Sequence, residues 1–179
     1  MTENIELLRY PIGEFVMPEV ITDKQLAEWI RTIEEFPKQI KQEVEGLSDK
    51  DLEKRYRPGG WTIRQVVHHC ADSHMNSLTR FKLALTEEQP IIKPYAEHLW
   101  AELTDSKLPI ESSLAVLEGL HFRWAVLLKS LSNTELDRTF IHPANHEIVS
   151  LRVNIGIYAW HCNHHLNHII NAKQYNYYE

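Results

Sequence analysis

Eleven histidines are present in 179 residues, and seven of them fall in two short stretches: His68, His69 and His74, then His161, His164, His165 and His168. A neutral imidazole is the commonest protein ligand for zinc and related divalent metals. Residues four apart on a helix lie one above the other, so His161 and His165 can turn two ring nitrogens toward one ion. That pair fixes two ligands on one rigid backbone and needs a third from elsewhere.

The pattern around each cluster is helical. In the last helix Leu151, Ile155, Tyr158, Ala159, Cys162, Leu166, Ile169 and Ile170 form an apolar face. At the turn angle of an α-helix, His165 lies roughly 70° from the centre of that face and His161 roughly 110°. His164 lies almost opposite, with His168 between His161 and His164, so both are expected at the surface or behind the ligands. An earlier helix carries Ile63, Val66, Val67, Cys70, Leu78, Phe81 and Leu85 on its apolar side. His74 sits on that side, whereas His68 and His69 flank it at roughly 130° each, so the wheel favours His74 and does not separate the other two.

His98, His121, His142 and His146 have no helical pairing and are expected to be structural or exposed, although His142 and His146 could reach the site from a hairpin. Cys70 and Cys162 stand alone on apolar faces, where free cysteine behaves as a small core side chain. The five tryptophans are expected in the core or at an interface.

The elements that must hold these residues read as follows. An irregular arm with Pro11, Gly13 and Pro18 runs to about Val20. A first helix starts at Thr22, capped with Gln25, carries Leu26, Trp29, Ile30, Ile33, Phe36 and Ile40, is bent or interrupted by Pro37, and ends near Gly46. A polar turn region spans 47–61. Thr62 and Gln65 cap a long helix from about Ile63 to Leu85, which Pro90 and Pro94 prevent from continuing. A short helix is expected around Tyr95–Glu102, then a third long helix capped by Ser112 and running to Leu131. Thr139–Val149 reads as a small hairpin or extended loop, and Ser150 caps a last helix to about Tyr175. The expected fold class is all-α: a four-helix bundle with short extra helices and a hairpin or loop before the last helix, in one domain over 1–179.

Composition is that of an ordinary globular chain, 43% hydrophobic and 25% charged. Nineteen basic against 25 acidic residues give a net charge of -6. Such a balance argues against nucleic acid or anionic lipid as the main partner. The first residues, with Glu3, Glu6, Arg9 and Glu14, lack the form of a signal peptide, and no apolar run is long enough to span a membrane. Two separated cysteines and no export signal point to a cytoplasmic protein with reduced thiols.

The run Gly60-Trp61-Thr62-Ile63-Arg64-Gln65-Val66-Val67-His68-His69-Cys70-Ala71-Asp72-Ser73-His74 resembles the signature of the DinB/YfiT-like superfamily. There a Trp-Ser/Thr pair opens a helix and the metal-binding histidine falls eight residues after the tryptophan, which here is His69. The family's late helix with histidines four apart is matched by His161 and His165. Arg9-Tyr10-Pro11-Ile12-Gly13-Glu14, Arg80-Phe81-Lys82-Leu83-Ala84-Leu85-Thr86 and Trp160-His161 are similar to the YfiT branch. His74 departs from the acidic residue many members carry nearby, and becomes, with Asp72 and Arg80, a candidate supporting or substrate group.

The metal set is therefore His69, His161 and His165, holding one divalent ion per chain. Zinc is the default, and nickel, cobalt or manganese would also accept imidazole. Three imidazoles leave a coordination position open, as in catalytic zinc sites. The resemblance implies a bacillithiol S-transferase type of enzyme, in which the metal activates a low-molecular-weight thiol toward a small electrophile, and a homodimer. The alternatives are a metal-dependent hydrolase, in which the metal activates water, and a non-catalytic metal-binding protein. No catalytic base is identified.

Overall fold

The computed structural model describes residues 5–144, 146–175 and 177. Four long helices carry the fold: α2 (Asp23–Val44), α4 (Ile63–Thr86), α6 (Glu111–Ser130) and α8 (Leu151–Tyr175). Between them lie the short helices α1 (Ile5–Arg9), α3 (Asp49–Leu52), α5 (Glu97–Trp100) and α7 (Asn133–Leu136), a 3-10 turn at Thr104–Lys107, and a hairpin of β1 (Thr139–His142) and β2 (Glu147–Ser150). No helix of the described residues is long and apolar enough to cross a membrane.

The packing order is not the chain order. Helix α2 packs on α6 and α8, and α4 packs on the same two. Consecutive helices α2 and α4 thus stand on opposite corners, and α6 and α8 fill the other two. Ile33, Phe36 and Ile40 of α2, Phe81 of α4, Leu117 and Trp124 of α6, and Leu151, Ile155 and Ile169 of α8 meet in the core, all fully buried.

Helix starts follow local chemistry. The Gln65 N–H donates to Thr62 Oγ1 at 3.1 Å and the Thr62 N–H to Gln65 Oε1 at 3.0 Å, a complete reciprocal cap. At α2 only the first half forms, with Gln25 N–H on Thr22 Oγ1. The Val153 N–H donates to Ser150 Oγ at 3.3 Å at the start of α8. Four expectations need correction. The opening arm is not irregular throughout, since Ile5–Arg9 form α1. Helix α2 runs unbroken through Pro37, because the one hydrogen bond a proline forfeits is replaced from another helix, as described below. Ser112 does not cap α6; it lies inside the helix, which begins one residue earlier, and its hydroxyl donates back to the Pro109 carbonyl. The turn region 47–61 contains α3, with its own Ser48–Asp51 cap. The hairpin pairs Thr139 with Ser150 through His142 with Glu147, while Asn145 lies outside the described residues.

Two irregular segments close over α8. The arm is tied by Trp160 Nε1–H to the Gly13 carbonyl at 3.0 Å, where Gly13 takes a φ of +74°. The 53–61 loop is pinned by Ile63 N–H on the Lys54 carbonyl and by the Arg55 guanidinium on the Gly60 carbonyl. Where α2 crosses α8, the ring of Trp29 lies on Gly156, and a Cβ there would stand 2.8 Å from two ring carbons. Gly156→Val should therefore force the ring off α8 and cost about 1–3 kcal/mol of stability. Denaturant unfolding checks this, and a wild-type midpoint would contradict the close crossing.

Candidate metal centre

The reciprocal cap at Thr62 sets the start of α4, and His69 follows two turns later. His161 and His165 lie one turn apart on the facing flank of α8. The three ring centroids stand 4.4 Å (His161–His165), 4.7 Å (His69–His165) and 5.3 Å (His69–His161) apart. One nitrogen from each lies within 4.8 Å of the others. His69 Nε2 and His161 Nε2 are 3.3 Å apart. Two nitrogens each 2.0–2.1 Å from a tetrahedral zinc stand about 3.4 Å apart, so this pair has the spacing the ion requires.

Burial decides the charge state. His69 is pushed down to about 4 by desolvation, with His164 adding to the effect. His161 and His165 are driven well below the ordinary imidazole value by the same desolvation, with His69 adding to the effect at His161, and His161 and His69 at His165. Among the described residues lining the adjoining cavity, Glu97 is the one carboxylate. The three rings are accordingly neutral, which is the form that ligates a metal. The donor set, its spacing and its protonation all fit one divalent ion with a position left open toward the cavity.

That cavity has a volume of about 580 Å³. Its floor is the triad with Ser73 and Tyr158; its walls include Tyr56, Arg57, Trp61 and Arg80, and its roof Pro94, Tyr95 and His142. Trp61 packs on both His69 and His165, with centroids 4.6 and 6.4 Å away. The tryptophan of the sequence signature is therefore a wall of the site.

Other sequence candidates sort by contact. His68 is buried, but it bonds Ser113 Oγ at 2.7 Å and the Leu108 carbonyl at 3.0 Å, joining α4 to the start of α6. Its neighbour His69 instead lines the cavity beside His161 and His165. His74 is fully buried behind His161, its Nε2 3.0 Å from His161 Nδ1. Asp72 is absent from the cavity lining; burial raises its pKa, with Asp105 adding to the effect. Asn76 turns back to the Asp72 carbonyl. Arg80 does line the cavity.

His164 and His168, expected at the surface or behind the ligands, are buried. A wheel sees only the bundle side of α8, while the arm and the 53–61 loop cover its polar flank. His164 stacks on Trp160 at 4.4 Å, and His168 stacks on Tyr56 at 3.7 Å while its Nε2 meets the Arg9 carbonyl. His164, His165 and His168 also have nitrogens within 4.8 Å of one another, yet both nitrogens of His168 are already engaged, on Arg9 and on His165 Nδ1. His121, expected as a plain structural residue, sits 2.7 Å from His74 Nδ1. Nothing in its own helix signals this, because its partners come from α4 and α2. Of the hairpin histidines, His142 lines the cavity and His146 is exposed.

Neutral burial has a pH signature. His69, His121 and His164 are each held near 4 against an ordinary 6.5, chiefly by desolvation. Between these values the unfolded chain binds more protons than the folded one, so stability falls as pH falls. The melting temperature of the metal-free protein should drop more steeply from pH 6.5 to 4 than from pH 8 to 6.5. A flat profile through the lower window would contradict the neutral cluster.

Comparison with known proteins agrees with this geometry. The family described as the DinB superfamily matches residues 32–169. A Bacillus cereus protein provisionally named a metal-dependent hydrolase is 53% identical over 167 residues, covering 93% of this chain and 96% of its own. An Oceanobacillus iheyensis protein of the same provisional name is 55% identical over 161 residues, covering 90% and 93%. The solved structure of YfiT from Bacillus subtilis, described as a probable metal-dependent hydrolase with an unusual four-helix bundle topology, superposes with a TM-score of 0.92 at 49% identity, covering 95% of this chain and 98% of that one. With most of its length matched by the family and a histidine triad set on the bundle's facing helices, this chain belongs to the DinB superfamily.

Proposed function

We propose that this protein is a metal-dependent enzyme in which His69, His161 and His165 hold one divalent ion, with a low-molecular-weight thiol as the nucleophile delivered to a small electrophile. The observation that carries the metal reading is the 3.3 Å approach of two neutral imidazole nitrogens, with a third beside them, at the floor of an open cavity. A bound zinc or nickel ion supplies Lewis acidity that lowers the pKa of a coordinated nucleophile.

The thiol is favoured over water by what surrounds the triad. A hydrolase needs a group to take and return protons, with a pKa near the working pH. Glu97 lies on the cavity wall among exposed residues of α5, and the imidazoles that line the cavity, His69, His142, His161, His164, His165 and His168, are all held below their ordinary value, chiefly by desolvation. A thiol coordinated to a metal is deprotonated outright and makes no such demand. The relatives' names favour the hydrolytic reading, in which water takes the same position.

The chain's own residues supply the rest. Trp61 and Tyr56 give apolar walls that exclude water from the reacting face, and Ser73 Oγ lies 3.4 Å from His161 Nε2 as a hydroxyl beside the ligand atoms. Arg57 and Arg80 offer guanidinium groups to an interior whose single described carboxylate is Glu97. An acidic group on a small substrate is the complement of that lining. With a net charge of -6, nucleic acid is not the proposed partner. A cytoplasmic homodimer is part of the same proposal, and light scattering tests the assembly.

Elemental analysis should find one metal per chain in wild type and none in His69→Ala or His165→Ala, with both variants folded. Thiol conjugation to a small electrophile should fall at least roughly 100-fold in each, the upper end of what loss of even an outer partner costs. Ester or amide hydrolysis that needs the metal, without thiol transfer, would establish the hydrolase instead. Folding that depends on the metal, with no activity, would indicate a structural site.

A further inference from the structure

Two chains of imidazoles run back from the ligands on α8, and each ends on a backbone carbonyl. The first crosses the whole bundle: His161 Nδ1 lies 3.0 Å from His74 Nε2, His74 Nδ1 lies 2.7 Å from His121 Nε2, and His121 Nδ1 meets the carbonyl of Ile33 on α2. The second is shorter: His165 Nδ1 lies 3.3 Å from His168 Nδ1, and His168 Nε2 lies 3.0 Å from the Arg9 carbonyl.

A carbonyl oxygen can only accept, which orders every link before it. His121 must carry its proton on Nδ1 to reach Ile33, so in a neutral ring its Nε2 is an acceptor. His74 then donates from Nδ1 and accepts at Nε2. His161 donates from Nδ1, and its Nε2, which faces His69, is left as a bare lone pair. By the same logic His168 donates from Nε2 to Arg9 and accepts at Nδ1, so His165 donates from Nδ1 and keeps its Nε2 free.

The Ile33 carbonyl is available for a reason visible in the sequence. In an α-helix it would accept the N–H of residue 37, and residue 37 is proline, which has none. Ile33 is fully buried, so without His121 that oxygen would be orphaned.

We propose that the carbonyls of Ile33 and Arg9 set the tautomers of the metal ligands His161 and His165 through His74, His121 and His168, and that Pro37 exists in α2 to free the first of these carbonyls. His121 and Pro37 are positioning residues: neither lines the cavity nor faces the ligand nitrogens. Their effect on a metal rests on the triad reading above, whereas the tautomers are a property of the metal-free protein.

The test uses the full chain in two arms. Two-bond ¹H–¹⁵N spectra of the metal-free wild type should show His161 and His165 protonated on Nδ1 and His168 on Nε2. Zinc affinity, measured by competition with a chromophoric chelator, should fall about 10–100-fold in His121→Phe with helix content unchanged, the cost typical of losing a ligand's hydrogen-bond partner. His121→Gln should recover most of that loss, since its amide can donate to Ile33 and accept from His74, and mere space-filling would not distinguish the two variants. Pro37→Ala should raise thermal stability while weakening zinc binding, as a new N–H competes for the Ile33 carbonyl. Either ligand protonated on Nε2, or wild-type zinc affinity in a folded His121→Phe, overturns the proposal. Should His121→Phe fail to fold, the wild-type spectra decide. A wild type that binds no zinc defeats the metal reading, and the spectra still decide the tautomers.

Discussion

A buried imidazole has two ring nitrogens, and leaving either without a partner costs free energy that a small helical bundle cannot spare. This protein buries seven: His68, His69, His74, His121, His164, His165 and His168, with His161 half-buried beside them. Desolvation holds His69, His74, His121, His161, His164, His165 and His168 below their ordinary values, and the hydrogen bonds that His74, His121 and His168 make have a direction. Much of the remaining architecture is a response to that demand. The arm reaches back across α8 and supplies the Arg9 carbonyl, and the proline in α2 releases the Ile33 carbonyl.

The non-sequential packing order serves the same end. Because α2 and α4 occupy opposite corners, a line drawn from α8 through α4 and α6 to α2 passes through all four helices, and His161, His74, His121 and Ile33 lie along it. The polar line does not breach the core, since Phe36 packs on both His74 and His121 with centroids 5.2 and 5.6 Å away, and Trp124 closes the other side. Apolar packing and the polar chain are therefore one construction: the aromatic contacts keep water off hydrogen bonds that are stronger for being dry.

What could be read from the sequence divides along the range of the interactions. Helix periodicity, the Thr62–Gln65 cap, the hairpin and the last helix from Leu151 to Tyr175 are local, and they stand where the pattern put them. The His161–His165 pair is local too. Choosing His69 over His68 and His74 needed the family resemblance, because what sets the three apart lies in remote partners: Leu108 and Ser113 bond His68, and His121 bonds His74. The same limit left the burial of His164 and His168 open, since it depends on Tyr10, Tyr56 and Arg9 from distant segments. The sequence alone points to a bend or an interruption at Pro37, because the donor that meets the carbonyl it frees is 84 residues away in the chain, at His121.

The cavity has a floor and a roof of different kinds. The floor is made of helical residues linked to one another by contacts of 3.2–3.4 Å among His69, His161, Ser73 and Tyr158. The roof, at Pro94, Tyr95 and His142, belongs to an extended segment and a hairpin joined by Ile92 N–H on the Ile141 carbonyl and Ile141 N–H on the Pro90 carbonyl. The Tyr95 side chain also hydrogen-bonds Ser73, so the two parts are tied, and a substitution in the roof changes the mouth of the cavity together with a hydroxyl beside His161.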